Sequence, residues 1–261
     1  MHTFISAAAA MLAAMLPLTA AAQWQTALDL GMRHASVAEY NQRGRRVVAE
    51  HGWLPGLGAA LDYRGEDVDL FTAASVFDAD LDYDGQLQNG RSYRSQTRTT
   101  LAQARLGARY RLHGSTRLVG YAEIDHWRRD IEGGGNAVGL RERNWSPRLA
   151  LGLEQRWQTG SGGRVEASLA IVRAGPERLK VGFSGLLDDA SLRTHGATGL
   201  AADLLYQPWT AIPLSVGMRL ESIKVPRSEE VTAYRHGEPR GTLAQPEHAR
   251  HAATLFVRYL F

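Results

Sequence analysis

The stretch that decides the fold is the last nine residues, Ala253-Thr254-Leu255-Phe256-Val257-Arg258-Tyr259-Leu260-Phe261. Every odd-numbered position in this stretch is apolar, and Arg258 projects to the opposite side of an extended chain. A strict period of two is typical of a β-strand with one apolar face. The segment therefore predicts a final strand that closes on an aromatic residue.

Six further segments repeat this alternation of apolar and polar positions. Their predicted apolar faces are Leu28, Leu30 and Met32; Leu57, Ala59, Leu61 and Tyr63; Phe71, Ala73, Phe77, Leu81 and Tyr83; Ala102, Ala104, Leu106, Ala108 and Tyr110; Leu149, Leu151, Leu153 and Trp157; and Leu214, Val216, Met218 and Leu220. Each segment thus predicts a strand with one face suited to lipid and one suited to a polar interior.

The connections between these strands alternate in length. Short turns are predicted at 64–67, 113–116, 158–163 and 208–212, and longer loops at 41–46, 85–97, 132–144, 174–190 and 226–249. Nine connections join ten strands, and aromatic residues cluster near the strand ends. The fold class predicted is therefore all-β, a single antiparallel up-and-down transmembrane β-barrel of ten strands, with eight to twelve as the compatible range. The competing fold is a soluble barrel or sandwich, in which the two faces would be exchanged.

The first residues predict export. An apolar run followed by Ala20-Ala21-Ala22 indicates that 1–22 is a cleaved signal peptide and that 23–261 form one outer-membrane domain. No second apolar run is long enough for a transmembrane helix, and the chain has no cysteine with which to form a disulfide. The predicted location is the cell outer membrane.

The net charge of +3 is small, and the arginines are spread singly along the predicted strands. A nucleic-acid surface requires a basic patch, and the sequence predicts none. The expected partners are outer-membrane lipid and the machinery that assembles barrels in that membrane.

Four aspartates, Asp78, Asp80, Asp82 and Asp84, alternate along the third predicted strand. On one face they repeat at roughly 7 Å. They are candidates for pairing with lumen arginines, for holding Ca²⁺, or for catalysis through Asp80 and Asp82; apart from this Ca²⁺ alternative, no cofactor is expected. The lumen charge network predicted from strand parity comprises Asp78, Asp80, Asp82, Arg105, Arg109, Glu123, Asp125, Arg129, Arg148 and Glu154.

Two features resemble known families. The ending with Tyr259 and Phe261 resembles the signal by which bacterial outer-membrane barrels are recognised for assembly. The ten-strand order, with an aspartate run at the top of the third strand, resembles the omptins, outer-membrane proteases that activate water between an aspartate pair and an Asp/His pair. Where omptins carry the Asp-x-His element, this chain has Arg173-Ala174-Gly175-Pro176-Glu177-Arg178. Asp188, Asp189 and His195 are the nearest candidates, at a different spacing.

The resemblance therefore implies the omptin fold and topology without its protease mechanism. The function expected is non-enzymatic, a structural or loop-binding role with a charged and largely plugged lumen. An omptin-like protease and a small selective pore are the alternatives.

Overall fold

The structure, a computed structural model, describes residues 23–86, 91–134, 138–160 and 162–261, so the predicted signal peptide lies outside the described residues. The strands are β1 (Trp24–Tyr40), β2 (Arg46–Tyr63), β3 (Val68–Gln86), β4 (Ser92–His113), β5 (Thr116–Ile131), β6 (Leu140–Gln158), β7 (Arg164–Ala174), β8 (Arg178–Gly182), β9 (Ala190–Arg193), β10 (Ala197–Gln207), β11 (Leu214–Val225), β12 (Val231–Arg235), β13 (Glu238–Leu243) and β14 (Glu247–Leu260). Within these residues, no helix is long and apolar enough to cross a membrane.

Ten of these strands close into a barrel. β1 to β7, β10, β11 and β14 each pair antiparallel with their neighbours, and β14 pairs with β1 from Ala27↔Leu260 to Tyr40↔Glu247. The predicted fold class, strand number and order are confirmed. Closure leaves no free edge among the ten strands, which a barrel in lipid requires because unpaired backbone groups there find no water.

The two faces of the barrel wall are distributed as a membrane requires. Leu30, Leu106 and Leu149 are between 65% and 69% exposed on the outer surface, whereas Arg33 and Glu123 are buried in the lumen. A soluble barrel would place its apolar face inside, because burying charge instead of hydrocarbon is unfavourable in water. The soluble alternative is therefore wrong, and the strands present their apolar side to lipid.

The four short turns lie where the sequence predicts them, but four of the five predicted loops contain strand. β3 continues to Gln86, β4 begins at Ser92 and β6 begins at Leu140, so most of 85–97 and part of 132–144 are strand. The predicted loops 174–190 and 226–249 likewise contain β8 and the hairpin β12–β13. The outward residues of these segments are mostly polar because the segments rise above the membrane, so they lack the outer apolar row that marks a lipid-facing strand.

The wall extends well above the lipid on the loop side. β3 has 19 residues and β4 has 22, whereas a transmembrane strand needs about 9–11. β8 and β9 continue β7 and β10 upward, since β7 pairs with the lower part of β6 and β8 with its upper part. The barrel therefore carries a tall outer rim, called the outer mouth below.

The predicted faces of β3 are reversed. Phe71, Phe77 and Leu81 are buried in the lumen, and the outward row runs from Val68 to Val76 and then to the aspartates. The lower half of β3 is apolar on both faces, so its alternation does not decide which side faces lipid. The bulky residues face inward because the lumen has space for them, and the aspartates face outward above the apolar layer.

Candidate functional site: the sealed lumen and capped outer mouth

A hairpin formed by β12 and β13 covers the outer mouth. Its Val231 and Leu243 pack on the buried side chains of Leu179, Val181 and Leu192, which line the inner face of β8 and β9. At the base of the hairpin the Ser228 N–H donates to the Gln245 carbonyl at 3.0 Å, and the Gln245 N–H donates to Ser228 Oγ at 2.8 Å. Gln245 Nε2 also donates to Glu39 Oε1 at 3.2 Å. The hairpin is therefore an ordered cap fixed to the barrel wall.

Asp188 fastens the tip of the cap. Its carboxylate accepts the backbone N–H groups of His236 at 3.0 Å and Gly237 at 2.9 Å, and its own N–H donates to the carbonyl of Tyr234. His236 and Gly237 both have positive φ, which turns these two N–H groups toward one anion. The bonds from Gly237 and His236 lower the pKa of Asp188 below its ordinary value.

We expect Asp188→Asn to loosen the hairpin, since an amide accepts with one atom where the carboxylate accepts with two. Trypsin should then cleave the refolded protein faster after Arg235 or Arg240, while Asp189→Asn, with no hydrogen bond to the hairpin, should leave the rate unchanged. Because folding lowers the pKa of Asp188, its stabilisation of the hairpin is complete above the ordinary pKa of an aspartate. It is lost as pH falls through the lowered pKa of the folded state. Equal cleavage of both variants would remove Asp188 from this role.

Below the cap, three carboxylates surround the guanidinium of Arg129. It contacts Glu50, Glu142 Oε2 at 2.7 Å and Glu39 Oε1 at 3.3 Å, and all four side chains are buried. Thr97 adds a hydrogen bond to Glu50 Oε1 at 3.2 Å. One cation thus joins β1, β2, β5 and β6 across the top of the lumen.

A second layer crosses the middle of the lumen. Arg148 contacts Asp125 at 2.7 Å and Glu123 at 3.3 Å, and Arg219 contacts Glu123 at 3.3 Å and Asp203 at 3.2 Å. Further pairs in this layer are Arg33 with Glu221, Arg250 with Asp125 and Glu177, and His248 with Glu177.

Glu177 lies in the short segment between β7 and β8, where it joins this layer to the outer mouth. Burial alone would raise the pKa of Glu177, but Arg250 and His248 lower it to about 2. Asn144 Nδ2 also donates to its Oε2 at 2.8 Å. Glu177 is therefore a charged, fully buried side chain that binds Arg250, His248 and Asn144.

The turn end of the lumen is closed in the same way. Arg109 contacts Asp62 at 2.7 Å and Glu154 at 2.9 Å, and Arg258 contacts Asp29 at 2.7 Å. Between the layers lie interior cavities of about 90, 60 and 40 Å³, which hold a few waters each at most. A barrel of this strand number is narrow enough for such side chains to fill it.

The structure brings together most of the predicted lumen network and leaves out the aspartates. Those it places inside are Arg105, Arg109, Glu123, Asp125, Arg129, Arg148 and Glu154, although Arg105 has no ion pair in the described chain and contacts the ring of Tyr121 instead. The lumen assignment of Asp78, Asp80 and Asp82 is wrong. Asp78 and Asp80 pair with Arg98 on the outer face of β4, because the parity of β3 is reversed.

The outward position of these aspartates also bears on the catalytic and the Ca²⁺-binding interpretations of the run. Asp80 and Asp82 are exposed on the outer wall and do not face the mouth, so they are not placed for water activation there. Asp188 is occupied by the cap, and His195 is exposed on the outside. Among the described residues, no group of three or more acidic, histidine or cysteine side chains is arranged to hold a metal.

The predicted network omitted more than half of these lumen charges. The omitted residues are Asp29, Arg33, Glu39, Glu50, Asp62, Glu142, Glu177, Asp203, Arg219, Glu221, Arg250 and Arg258. Strand parity would have found several of them: Arg219 and Glu221 oppose the apolar row of β11, and Arg33 opposes that of β1. Glu39, Glu50 and Glu142 lie beyond the apolar rows, so strand parity did not assign them to the lumen.

Solved structures share this architecture, but no family profile and no characterised protein matches the sequence. The outer-membrane protease OmpT from Escherichia coli superposes with a TM-score of 0.57 at 10% identity, over 92% of this chain and 97% of that one. The translocator domain of the autotransporter NalP from Neisseria meningitidis has a TM-score of 0.42 at 11% identity, over 98% and 96%. At 10% identity the likeness to OmpT concerns the fold alone, which is that of a bacterial outer-membrane barrel.

Proposed function

We propose that this chain is a sealed outer-membrane barrel with a non-enzymatic role, whose capped outer mouth is a binding surface instead of an entrance. The observation that carries the proposal is the stack of ion-pair layers beneath the ordered cap. Arg129, Arg148 and Arg109 each join carboxylates from other strands, so every level of the lumen is crossed by charged side chains. A conducting pore would leave these groups facing a continuous column of water.

The cap supports the binding role. Tyr234 on β12 and Leu186 in the connection between β8 and β9 are 46% and 42% exposed, and Asp188 holds these two segments together. Exposed apolar side chains on ordered loops are typical of recognition surfaces. The rigid wall beneath keeps these loops in a fixed arrangement, which lowers the entropy lost when a partner binds.

We expect no channel openings when the refolded protein is incorporated into a planar lipid bilayer. Replacing the hairpin 231–243 by a short glycine-serine linker should leave the barrel closed, because the layers of Arg129 and Arg148 remain below it. Incorporation is verified by the shift in gel mobility on boiling, which closed barrels show. Steady conductance of the unmodified protein would favour the selective pore instead.

The partners proposed are outer-membrane lipid and the barrel assembly machinery, the latter through Tyr259 and Phe261. The Phe261 N–H donates to the Thr26 carbonyl at 3.0 Å, and its ring meets Tyr259 edge to face at 4.9 Å. Deleting Phe261 should slow membrane insertion in vivo far more than deleting Gly134 from a loop. Equal accumulation of the two variants in the outer membrane would count against Phe261 as an assembly signal.

A further inference from the structure

One arginine of the lumen has no counter-charge of its own. Arg105 projects inward from β4, and none of the carboxylates that the structure describes lies within ion-pair distance of its guanidinium. Its side chain has no hydrogen bond to the described residues either, and its guanidinium carbon lies 5.8 Å from the centre of the Tyr121 ring. A guanidinium stays charged when it is buried and carries several N–H donors. Arg105 therefore brings into the lumen a charge and donors that the described side chains leave unmatched.

Two carboxylates near Arg105 are already paired with other arginines. Glu123, which lies opposite Arg105 in the register of β4 and β5, contacts Arg148 and Arg219 at 3.3 Å each. Asp203 contacts Arg219 at 3.2 Å. The negative charge of both carboxylates is therefore engaged by guanidinium groups other than that of Arg105.

Arg105 lines an interior cavity of about 60 Å³ in the middle of the lumen. Four arginines and two carboxylates contribute to the wall of this cavity: Arg33, Arg105, Arg219, Arg258, Asp29 and Glu123. Arg258 holds Asp29 through two hydrogen bonds of 2.7 and 2.8 Å, and Arg219 pairs with Glu123. The partner of Arg33 is Glu221, which lies outside this wall. The wall is therefore positive, and Arg105 is its one unpaired charge among the described side chains.

Two further donors beside the cavity lack an acceptor. The Nε–H groups of Arg33 and Arg219 are buried and have no hydrogen-bond partner among the described residues. The Nη atoms of both side chains do bind acceptors, including Glu221 and Asp203, so the two guanidinium groups are fixed in place. Water would satisfy the free N–H groups but would leave the charge of Arg105 without a counter-charge. An anion in the cavity satisfies both requirements.

We propose that this cavity, called the anion site below, binds one chloride ion beside Arg105 and the Nε–H groups of Arg33 and Arg219. Chloride accepts hydrogen bonds from several donors at once and brings the single negative charge that Arg105 lacks. It needs little more space than a water molecule, roughly 30 Å³, so it fits the anion site, whereas an organic anion such as gluconate does not. The inference goes beyond the binding role of the outer mouth, because it concerns an ion enclosed within the wall.

The first test measures urea unfolding of the barrel refolded in lipid vesicles, with chloride replacing gluconate at constant ionic strength. If the folded chain alone binds one ion, the folding equilibrium constant of the parent should rise up to about tenfold for each tenfold increase in chloride. Arg105→Gln should show no such rise. The matched control, Arg111→Gln, removes the same charge from an exposed position of the same strand and should keep the response of the parent.

The sign of the effect of Arg105→Gln separates ion binding from a purely structural role. In gluconate this variant should be at least as stable as the parent, because it removes a charge that has no counter-charge. In chloride it should be less stable than the parent. Loss of the contact with Tyr121 alone would lower stability equally in both salts, and that result would contradict the proposal. An equal chloride response in the parent and in Arg105→Gln would also contradict it, since that response would come from the protein surface.

Crystals of the refolded barrel grown in sodium bromide locate the ion directly, because bromide has the charge of chloride and a similar size. We expect one anomalous-scattering peak in the anion site, within hydrogen-bond distance of Arg105, and no peak there in crystals of Arg105→Gln. Gel mobility before and after boiling confirms that each variant is folded. A parent cavity that contains water and no bromide would overturn the proposal.

Discussion

Replacing Arg129 with leucine should lower the free energy of unfolding by about 3–5 kcal/mol, the largest effect expected of any single substitution considered for this chain. The guanidinium contacts Glu50, Glu142 and Glu39, and none of these carboxylates has another cation within ion-pair distance in the described structure. Without Arg129, three buried acids would be left uncompensated. The measurement is urea unfolding of the refolded barrel in lipid vesicles.

The matched control is the neighbouring residue. Arg128 points outward and pairs with Asp130 at 2.7 Å in an exposed position, so Arg128→Leu should change stability by less than about 1 kcal/mol. Arg109→Leu should fall between the two, because Arg109 joins two carboxylates, and a loop residue such as Arg240 should have little effect. If Arg129→Leu unfolds with the parent, the top of the lumen is hydrated and the seal proposed above is absent.

The second large effect is expected at Gly217. This residue pairs with Phe256 on β14, and a Cβ placed on Gly217 would lie 2.2 Å from Cζ of the Phe256 ring. The ring occupies the space a side chain would need and also lines the middle of the lumen. Gly217→Ala should therefore displace the ring and destabilise the barrel by about 1–3 kcal/mol.

Gly120→Ala supplies the comparison for this prediction. A Cβ on Gly120 would meet its nearest atoms at 3.7 Å, an ordinary contact, and alanine also lowers the entropy of the unfolded chain. Gly120→Ala should leave the urea midpoint unchanged or raise it slightly. A similar loss in both variants would mean that strand flexibility, and not contact with Phe256, sets the requirement for glycine.

Much of the barrel could be predicted from the sequence, because lipid imposes a simple rule on it. Every strand that crosses the apolar layer must show hydrocarbon on alternate residues, so Leu149, Leu151 and Leu153 reveal β6 directly. The short turns are equally visible because glycine and polar residues interrupt the alternation. β3 is the exception, since both of its faces are apolar below Asp78 and periodicity alone does not orient it.

The candidate site was predicted less completely, because its residues meet across the barrel and not along the chain. Arg129 and Arg148 were identified from strand parity, but their partners Glu39 and Glu50 lie 90 and 79 positions away from Arg129. Above the membrane no lipid-facing apolar row is needed, so the outward residues of the rim segments of β4, β8 and β12 are mostly polar and did not indicate a membrane strand. The cap and its fastening to Asp188 were therefore read as loops.

By itself, the sequence determined that this chain forms ten antiparallel strands, each with one apolar and one polar face, because period two and turn chemistry are local properties. Only the tertiary structure decided that the apolar faces point outward, which charges meet inside the lumen, and that Asp80 and Asp82 face the outside of the wall. The reason is geometric. Alternation specifies that a strand has two faces, but closure and register decide what each face contacts.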